Sequence, residues 1–146
     1  MKERNMFGYK IIYHNGEREI QFCRNEMKEW VKDIYNIYNA LFFDCILPEP
    51  DEGIIFIVTN SKKIKSLGSS YPTRPYKIRI NFRYDLSDIE YENILLHEMI
   101  HIWQFLMGYS GGHGKTFKRK AKEFNKYGCN VQVSYKNILI DIKDAE

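Results

Sequence analysis

Three side chains that suit metal chemistry lie within one short stretch, residues 95–103, which reads LLHEMIHIW. His97 and His101 are four residues apart, so in a helix their imidazoles project from the same side and can bind one ion. Zinc accepts neutral imidazole nitrogen at about 2.0–2.1 Å. Glu98 is rotated about 100° from His97, which suits a general base that takes a proton from a metal-activated water. The pattern therefore predicts a zinc site with Glu98 as its catalytic carboxylate.

The alternative interpretation is that both histidines are ordinary core residues. Residues 94–107 are apolar on nearly every face, which is typical of a buried helix. Buried polar groups must find partners, so two histidines and a glutamate without a ligand would be costly there. The metal site is therefore the favoured interpretation.

A catalytic zinc needs a third protein ligand and an open coordination position. The metzincin pattern has Gly and His where this chain has Gln104 and Met107, so that class is excluded. His113 lies just past the helix in a glycine-rich turn that can fold back on the metal, and it is the favoured third ligand. Glu123 is the alternative ligand. His14 lies far upstream and is interpreted as a turn residue.

Two stretches of the chain resemble a known family. They are residues 95–103 followed by GHGKTF at 112–117, and YNIYNALF at 35–42 followed by Leu47 and Pro48. Together they resemble the SprT-like zinc metallopeptidase domain, the family of Spartan-type DNA-dependent proteases, over about residues 27–127. The resemblance implies one Zn²⁺ per chain held by His97, His101 and His113, with Glu98 catalytic. Many relatives carry a cysteine-rich zinc ribbon after this domain, and this chain has none.

The bulk composition is that of an ordinary globular protein. The 146 residues, 44% apolar and 28% charged, suit a single domain with a core at about 25–128 and a hairpin extension at each end. The net charge of +3 is mild, and the three cysteines are widely spaced, which indicates neither a disulfide framework nor a Cys-x-x-Cys zinc pair. No signal-type segment or membrane-spanning run is visible, so we expect a cytoplasmic protein without a membrane partner.

Periodicity predicts the elements that position the motif. A helix is expected from an Asn25 N-cap to about residue 43, with one buried face comprising Met27, Trp30, Val31, Ile34, Ile37, Tyr38 and Leu41. The apolar run 54–58 suits a central strand, a short strand is expected near 69–71, and residues 76–84 alternate as a half-buried strand. Ser87 and Glu90 form a capping box that opens the metal helix, which should extend to about residue 107.

Hairpins are predicted at both ends of the chain. Asn15-Gly16 is a type I′ turn signal within residues 9–22, and residues 131–142 alternate around a turn at 136–137. The fold class that follows is α+β, with a small, mainly antiparallel sheet packed against the first helix and the metal helix in a zincin-like arrangement.

A third helix is expected from residue 115 to about 127, and it carries a basic stripe opposite its apolar side. The stripe comprises Lys115, Arg119, Lys122 and Lys126, and a second basic patch comprises Lys77, Arg79 and Arg83. The stripe is either a solvated helix face or a surface that binds DNA phosphates. Both interpretations stay open at this point.

The function that the sequence predicts is zinc-dependent hydrolysis of peptide bonds in a protein or peptide substrate. The family resemblance implies that such substrates include proteins associated with or crosslinked to DNA. Tyr109, beside the metal loop, is the candidate oxyanion stabiliser. Two alternatives remain. One is a nucleic-acid-binding module with a structural zinc, and the other is a metallohydrolase that acts on a non-peptide bond.

Overall fold

The computed structural model describes residues 6–135 and residue 142. Three helices and five strands are present in these residues. In chain order they are β1 (Tyr9–His14), β2 (Glu17–Phe22), α1 (Arg24–Phe42), β3 (Ile54–Thr59), β4 (Gly68–Tyr71), β5 (Tyr76–Asn81), α2 (Asp88–Met107) and α3 (Lys115–Asn125).

The strands form two sheets, and the predicted α+β class is confirmed. Strands β1 and β2 form an antiparallel pair, while the other sheet has the order β3-β5-β4, with β5 parallel to β3 and antiparallel to β4. Helix α1 packs on β3, and α2 packs on β4, β5, α1 and α3. The metal helix is therefore covered on several sides, which explains why its sequence is apolar nearly all round.

Among the described residues, strand β3 lies at the edge of its sheet, so the prediction that residues 54–58 form a central strand was wrong. Ile54, Phe56 and Val58 are buried, whereas Ile57 is 38% exposed. Only one face of the strand is covered, and helix α1 covers it. A continuous apolar run therefore did not distinguish an edge strand from a central one.

Helix α1 has a narrower buried face than predicted. Its buried residues Met27, Val31, Tyr35 and Asn39 recur every four positions. Ile37 and Leu41, which were predicted to be buried, are 51% and 66% exposed. At 100° per residue, Ile37 lies about 200° from Tyr35, on the opposite side of the helix. Asn39 can be buried because its side-chain amide forms two hydrogen bonds with the backbone of Leu47, at 3.1 and 3.2 Å.

The predicted start of α1 was wrong, whereas the predicted start of α2 is confirmed. The residue at the N-cap of α1 is Cys23, without a side-chain cap bond, so the predicted Asn25 cap was wrong. The predicted capping box of α2 is confirmed, because the Ser87 hydroxyl accepts from the Glu90 amide and the Glu90 carboxylate accepts from the Ser87 amide. Gly108 ends α2 in the left-handed conformation with φ 74°.

The N-terminal hairpin is present as predicted. Asn15 and Gly16 have φ angles of 50° and 83°, as a type I′ turn requires. The Tyr9 hydroxyl donates a 2.9 Å hydrogen bond to the Phe82 carbonyl and joins the hairpin to the chain segment after β5. At the other end, residues 131–135 form no strand. The rest of the predicted C-terminal hairpin, residues 136–141, lies outside the described residues.

Candidate metal centre

Three histidine side chains from two parts of the chain converge on one point. His97 and His101 lie one turn apart on α2, and His113 lies in the turn between α2 and α3. The Nε2 atom of His113 is 3.1 Å from that of His97 and 3.2 Å from that of His101. Among the described residues, these three form the group of side chains that could hold a metal ion. The structure therefore brings together the three predicted ligands.

The hydrogen bonds on the outer side of two rings determine which nitrogen carries the proton. His97 Nδ1 is 2.6 Å from the Gln132 carbonyl oxygen, and His101 Nδ1 is 2.7 Å from the Gln104 side-chain oxygen. A carbonyl oxygen only accepts, so each Nδ1 donates and each Nε2 carries a free lone pair. Metal-bound histidines in proteins are commonly held in this way.

The three nitrogens fit a zinc ion. A tetrahedral zinc with bonds of about 2.0–2.1 Å keeps its ligand atoms about 3.3 Å apart, close to the separations of 3.1 and 3.2 Å found here. Lone pairs facing one another at this distance are stabilised by a cation between them. The described residues offer three ligand nitrogens at this point, and three is the number of protein ligands in catalytic zinc sites.

An apolar side chain from α3 packs against all three imidazoles. The ring centroid of Phe117, which is fully buried, lies 4.7, 5.1 and 4.8 Å from those of His97, His101 and His113. Burial lowers the pKa of His97 to about 4 and also lowers those of the other two histidines. The three rings therefore stay neutral, as metal ligands must, at neutral pH.

Glu98 lies beside the histidines with its carboxylate fixed by the neighbouring strand. The Ser70 hydroxyl of β4 donates a 2.7 Å hydrogen bond to Glu98 Oε1, and Glu98 Oε2 lies 4.0 Å from His97 Nε2. Gly68 leaves room for this carboxylate, because a Cβ at that position would lie 2.9 Å from Oε2. Burial raises the pKa of Glu98 to about 7, although the Ser70 hydrogen bond and the charge of Arg79 oppose the rise.

A cleft of about 220 Å³ opens next to these groups. One wall is the segment 65–68, and the other is the segment 133–135 that follows α3. His97 and Glu98 line it together with Ile94, so the cleft connects solvent with the candidate catalytic groups. The Tyr135 ring lies 6.0 Å from that of His97, and burial raises the pKa of Tyr135 to about 12.

The remaining residues that were considered for the site, Glu123, His14 and Tyr109, are not part of the histidine group. Glu123 is exposed on α3, 3.8 Å from Lys120, and is not a member of the metal-ligand group among the described residues. His14 ends β1, is exposed, and lies 3.7 Å from Glu19. Tyr109 is 43% exposed, and its ring packs against Trp103 at 5.3 Å. No contact of Tyr109 with the three histidines is present among the described contacts.

Sequence reasoning missed the residues that hold the ligands and the carboxylate. They are Ser70, Gln104, Phe117, Gln132 and Tyr135. A buried glutamine three residues after His101 was the one available signal, because a polar residue on an apolar helix needs a partner. The contact of His97 with the backbone carbonyl of Gln132 could not be predicted from the sequence, because every residue has a backbone carbonyl.

The basic stripe predicted on α3 is exposed, while Phe117, Ala121 and Phe124 bury the opposite face of that helix. Two of the three residues of the second basic patch, Arg79 and Arg83, make internal hydrogen bonds. The Arg79 guanidinium donates to the hydroxyls of Ser66 and Ser69, and Arg83 donates to the carbonyls of Lys62 and Ile64. The α3 stripe is therefore the better candidate for contacts with phosphates.

These features define an α+β protein with a zincin-like His-Glu-x-x-His helix and a third histidine in the following turn. A family model described as the SprT-like family matches residues 31–137, and the protein belongs to that family. No curated protein sequence matches the chain in a direct comparison. Within the described residues, no helix combines the length and apolar character needed to cross a membrane.

Proposed function

We propose that the protein is a zinc-dependent peptidase. The observation that carries the proposal is the convergence of three imidazole Nε2 atoms beside a buried carboxylate. Membership of the SprT-like family fits a metallopeptidase. A structural zinc would need a fourth protein ligand, and the described residues offer three at this point.

Each residue of the site has a distinct role in the proposed reaction. His97, His101 and His113 hold the ion, which when bound supplies Lewis acidity that polarises the scissile carbonyl and acidifies the attacking water. Ser70 keeps Glu98 Oε1 occupied, so Oε2, on the side of His97, takes the proton of the water. Glu98 then delivers that proton to the leaving amine. The pKa of about 7 in the metal-free protein suits a group that both accepts and returns a proton near neutral pH.

The substrate reaches these groups through the cleft beside strand β4. Within the described residues, β4 pairs only with β5, so its other edge has unpaired backbone groups that an extended peptide can bind. Ser70 of this strand donates a hydrogen bond to Glu98, and Gly68 lies so close that a Cβ there would be 2.9 Å from Glu98 Oε2. A peptide bound along β4 therefore passes directly beside the catalytic carboxylate.

Cleavage of an unfolded protein by the zinc-loaded wild type and by Glu98→Gln tests the proposal. The variant keeps the size of the side chain but removes the proton acceptor, so we expect unchanged zinc content and cleavage lowered by at least about a hundredfold. Glu123→Gln is the matched control, because this carboxylate is exposed and lies outside the histidine group. Equal cleavage by wild type and Glu98→Gln would refute the proposal, and hydrolysis of esters but not of peptides would favour the non-peptide alternative.

We further propose that the substrates are proteins bound to DNA. The α3 stripe supports this, because Lys115, Arg119 and Lys122 of α3 and its C-cap residue Lys126 are all exposed. Helix α3 begins two residues after His113. Contacts with about four phosphates of single-stranded DNA give a logarithmic salt slope of about −3 and little sequence preference.

The test of DNA binding is a charge reversal on α3. Arg119→Glu with Lys122→Glu should weaken DNA binding and abolish DNA-stimulated proteolysis, while zinc content and cleavage of a short peptide stay unchanged. The control pair Arg18→Glu with Lys28→Glu makes the same charge change on β2 and α1 and should leave DNA binding close to wild type. If both pairs reduced DNA binding equally, only the net charge would matter and the α3 surface would be an ordinary solvated face.

A further inference from the structure

One buried polar side chain near the metal centre is neither a ligand nor a catalytic group. Gln104 lies on α2 three residues after His101 and is fully buried. A glutamine amide offers two donors and an acceptor, and leaving them unpaired in a core is costly. Each end of this amide has partners. They belong to the metal centre, to the turn that carries His113 and to the first turn of α3.

The contacts of Gln104 fix the orientation of its own amide. Its Nε2 lies 3.0 Å from the Gly112 carbonyl oxygen and 3.0 Å from the Thr116 hydroxyl oxygen. A carbonyl oxygen only accepts, so the NH₂ group must face Gly112. The amide oxygen therefore faces His101 Nδ1, at 2.7 Å, and accepts a hydrogen bond from it.

This orientation has a direct effect on the metal ligand. Because His101 donates from Nδ1 to Gln104, its Nε2 is unprotonated and faces His113 Nε2 at 3.2 Å. The same glutamine holds Gly112, the residue before His113, and Thr116 in the first turn of α3. The Gln104 side chain thus connects His101, on α2, to the turn that carries His113.

We propose that Gln104 is a positioning residue that sets both the tautomer of His101 and the placement of His113. Metal sites need their ligands held to within about 0.5 Å by groups that are themselves fixed. His113 is exposed and lies in a turn with three glycines in residues 111–114, so the backbone there has little intrinsic preference. The amide of Gln104 supplies the missing restraint. This inference rests on the proposed metal centre.

The experiment replaces the amide by an apolar side chain of similar length. Gln104→Met keeps the helix and fills the space but makes none of the three hydrogen bonds. We expect zinc affinity, measured by competition with a chromophoric chelator, to fall by about 10–100-fold, the usual effect of losing a partner of a metal-bound histidine. Thr116→Val removes one of the three contacts and should cause a smaller loss.

Two further arms separate positioning from general support of the fold. In the metal-free protein, ¹⁵N chemical shifts report the tautomer of each histidine, and Gln104→Met should raise the Nε2-protonated population of His101 but not that of His97. Gln21→Met is the matched control. It makes the same substitution at an exposed position of β2, away from the three histidines, so both readouts should match wild type.

The possible outcomes distinguish this inference from the proposed function. Wild-type zinc affinity and an unchanged His101 tautomer in Gln104→Met would overturn the role of Gln104 and leave the peptidase proposal intact. A wild-type protein that binds no zinc would instead contradict the metal centre, and the tautomer measurement would still decide whether Gln104 orients His101. A loss of thermal stability with neither readout changed would also overturn the positioning role.

Discussion

The stability of the metal-free protein should depend on pH through the buried Glu98 carboxyl group. Its pKa is raised from 4.5 to about 7 by burial. A raised pKa means that the folded state holds the proton more tightly than the unfolded state. The contribution of Glu98 to stability is therefore fully present below pH 4.5 and is lost as the pH rises through about 7.

The magnitude follows from the two pKa values. At 1.36 kcal/mol per pKa unit, the metal-free wild type should lose about 2–3 kcal/mol through Glu98 between pH 5 and pH 8. Glu98→Gln cannot ionise and should not show this loss, which corresponds to a relative gain of about 5–10 °C in melting temperature at pH 8. The buried His97 has the opposite pH dependence, since its pKa is lowered to about 4, but it is present in both proteins and cancels in the comparison.

The assay is denaturant unfolding of wild type and variant at pH 5 and pH 8 in the presence of a chelator. Glu123→Gln is the control, because that carboxylate is exposed. Zinc should reduce the difference, since a bound cation stabilises the ionised carboxylate. If wild type and Glu98→Gln lost stability in parallel between pH 5 and pH 8, the burial of a carboxyl group with a raised pKa would be refuted.

Three further predictions concern the same centre. Burial lowers the pKa values of the three histidines, that of His97 to about 4, so protons compete weakly with the ion for the ring nitrogens. Zinc content measured after dialysis should therefore be retained at pH 6 and lost as the pH approaches 4. Gly68→Ala should lower cleavage without loss of zinc, because its Cβ would lie 2.9 Å from Glu98 Oε2; unchanged kcat would contradict the tight fit. Tyr135→Phe should weaken zinc binding measurably. The Tyr135 hydroxyl accepts a 3.0 Å hydrogen bond from the backbone N–H of Gln132, the residue whose carbonyl orients His97. Unchanged zinc affinity would argue against that support.

The local signals in the sequence predicted the metal helix well. The capping box at Ser87, the end of the helix near residue 107 and the His-Glu-x-x-His spacing are all short-range patterns, and each depends on residues within one or two helical turns. The position of His113 was also predictable, because a glycine-rich turn directly after the helix limits where the next histidine can lie. These features required no knowledge of how distant segments pack.

The remaining features depend on long-range packing, which periodicity does not encode. Ser70 contacts Glu98 across 28 residues, and the Gln132 carbonyl contacts His97 across 35. The edge position of β3 depends on which strand pairs with β5, and the exposure of Ile37 depends on which side of α1 faces the sheet. Apolar patterning indicates that a segment is buried on one side, but the partner is chosen by the whole fold.

X-ray absorption at the zinc edge of the zinc-loaded protein tests the three-histidine site. We expect one zinc per chain with three nitrogen ligands at about 2.0–2.1 Å and one further light ligand from solvent. His113→Ala should lose the ion or replace one nitrogen by oxygen, whereas His14→Ala should give the wild-type spectrum, since His14 lies at the end of β1. A sulfur ligand, four protein nitrogens, or an unchanged spectrum in His113→Ala would contradict an open three-histidine site.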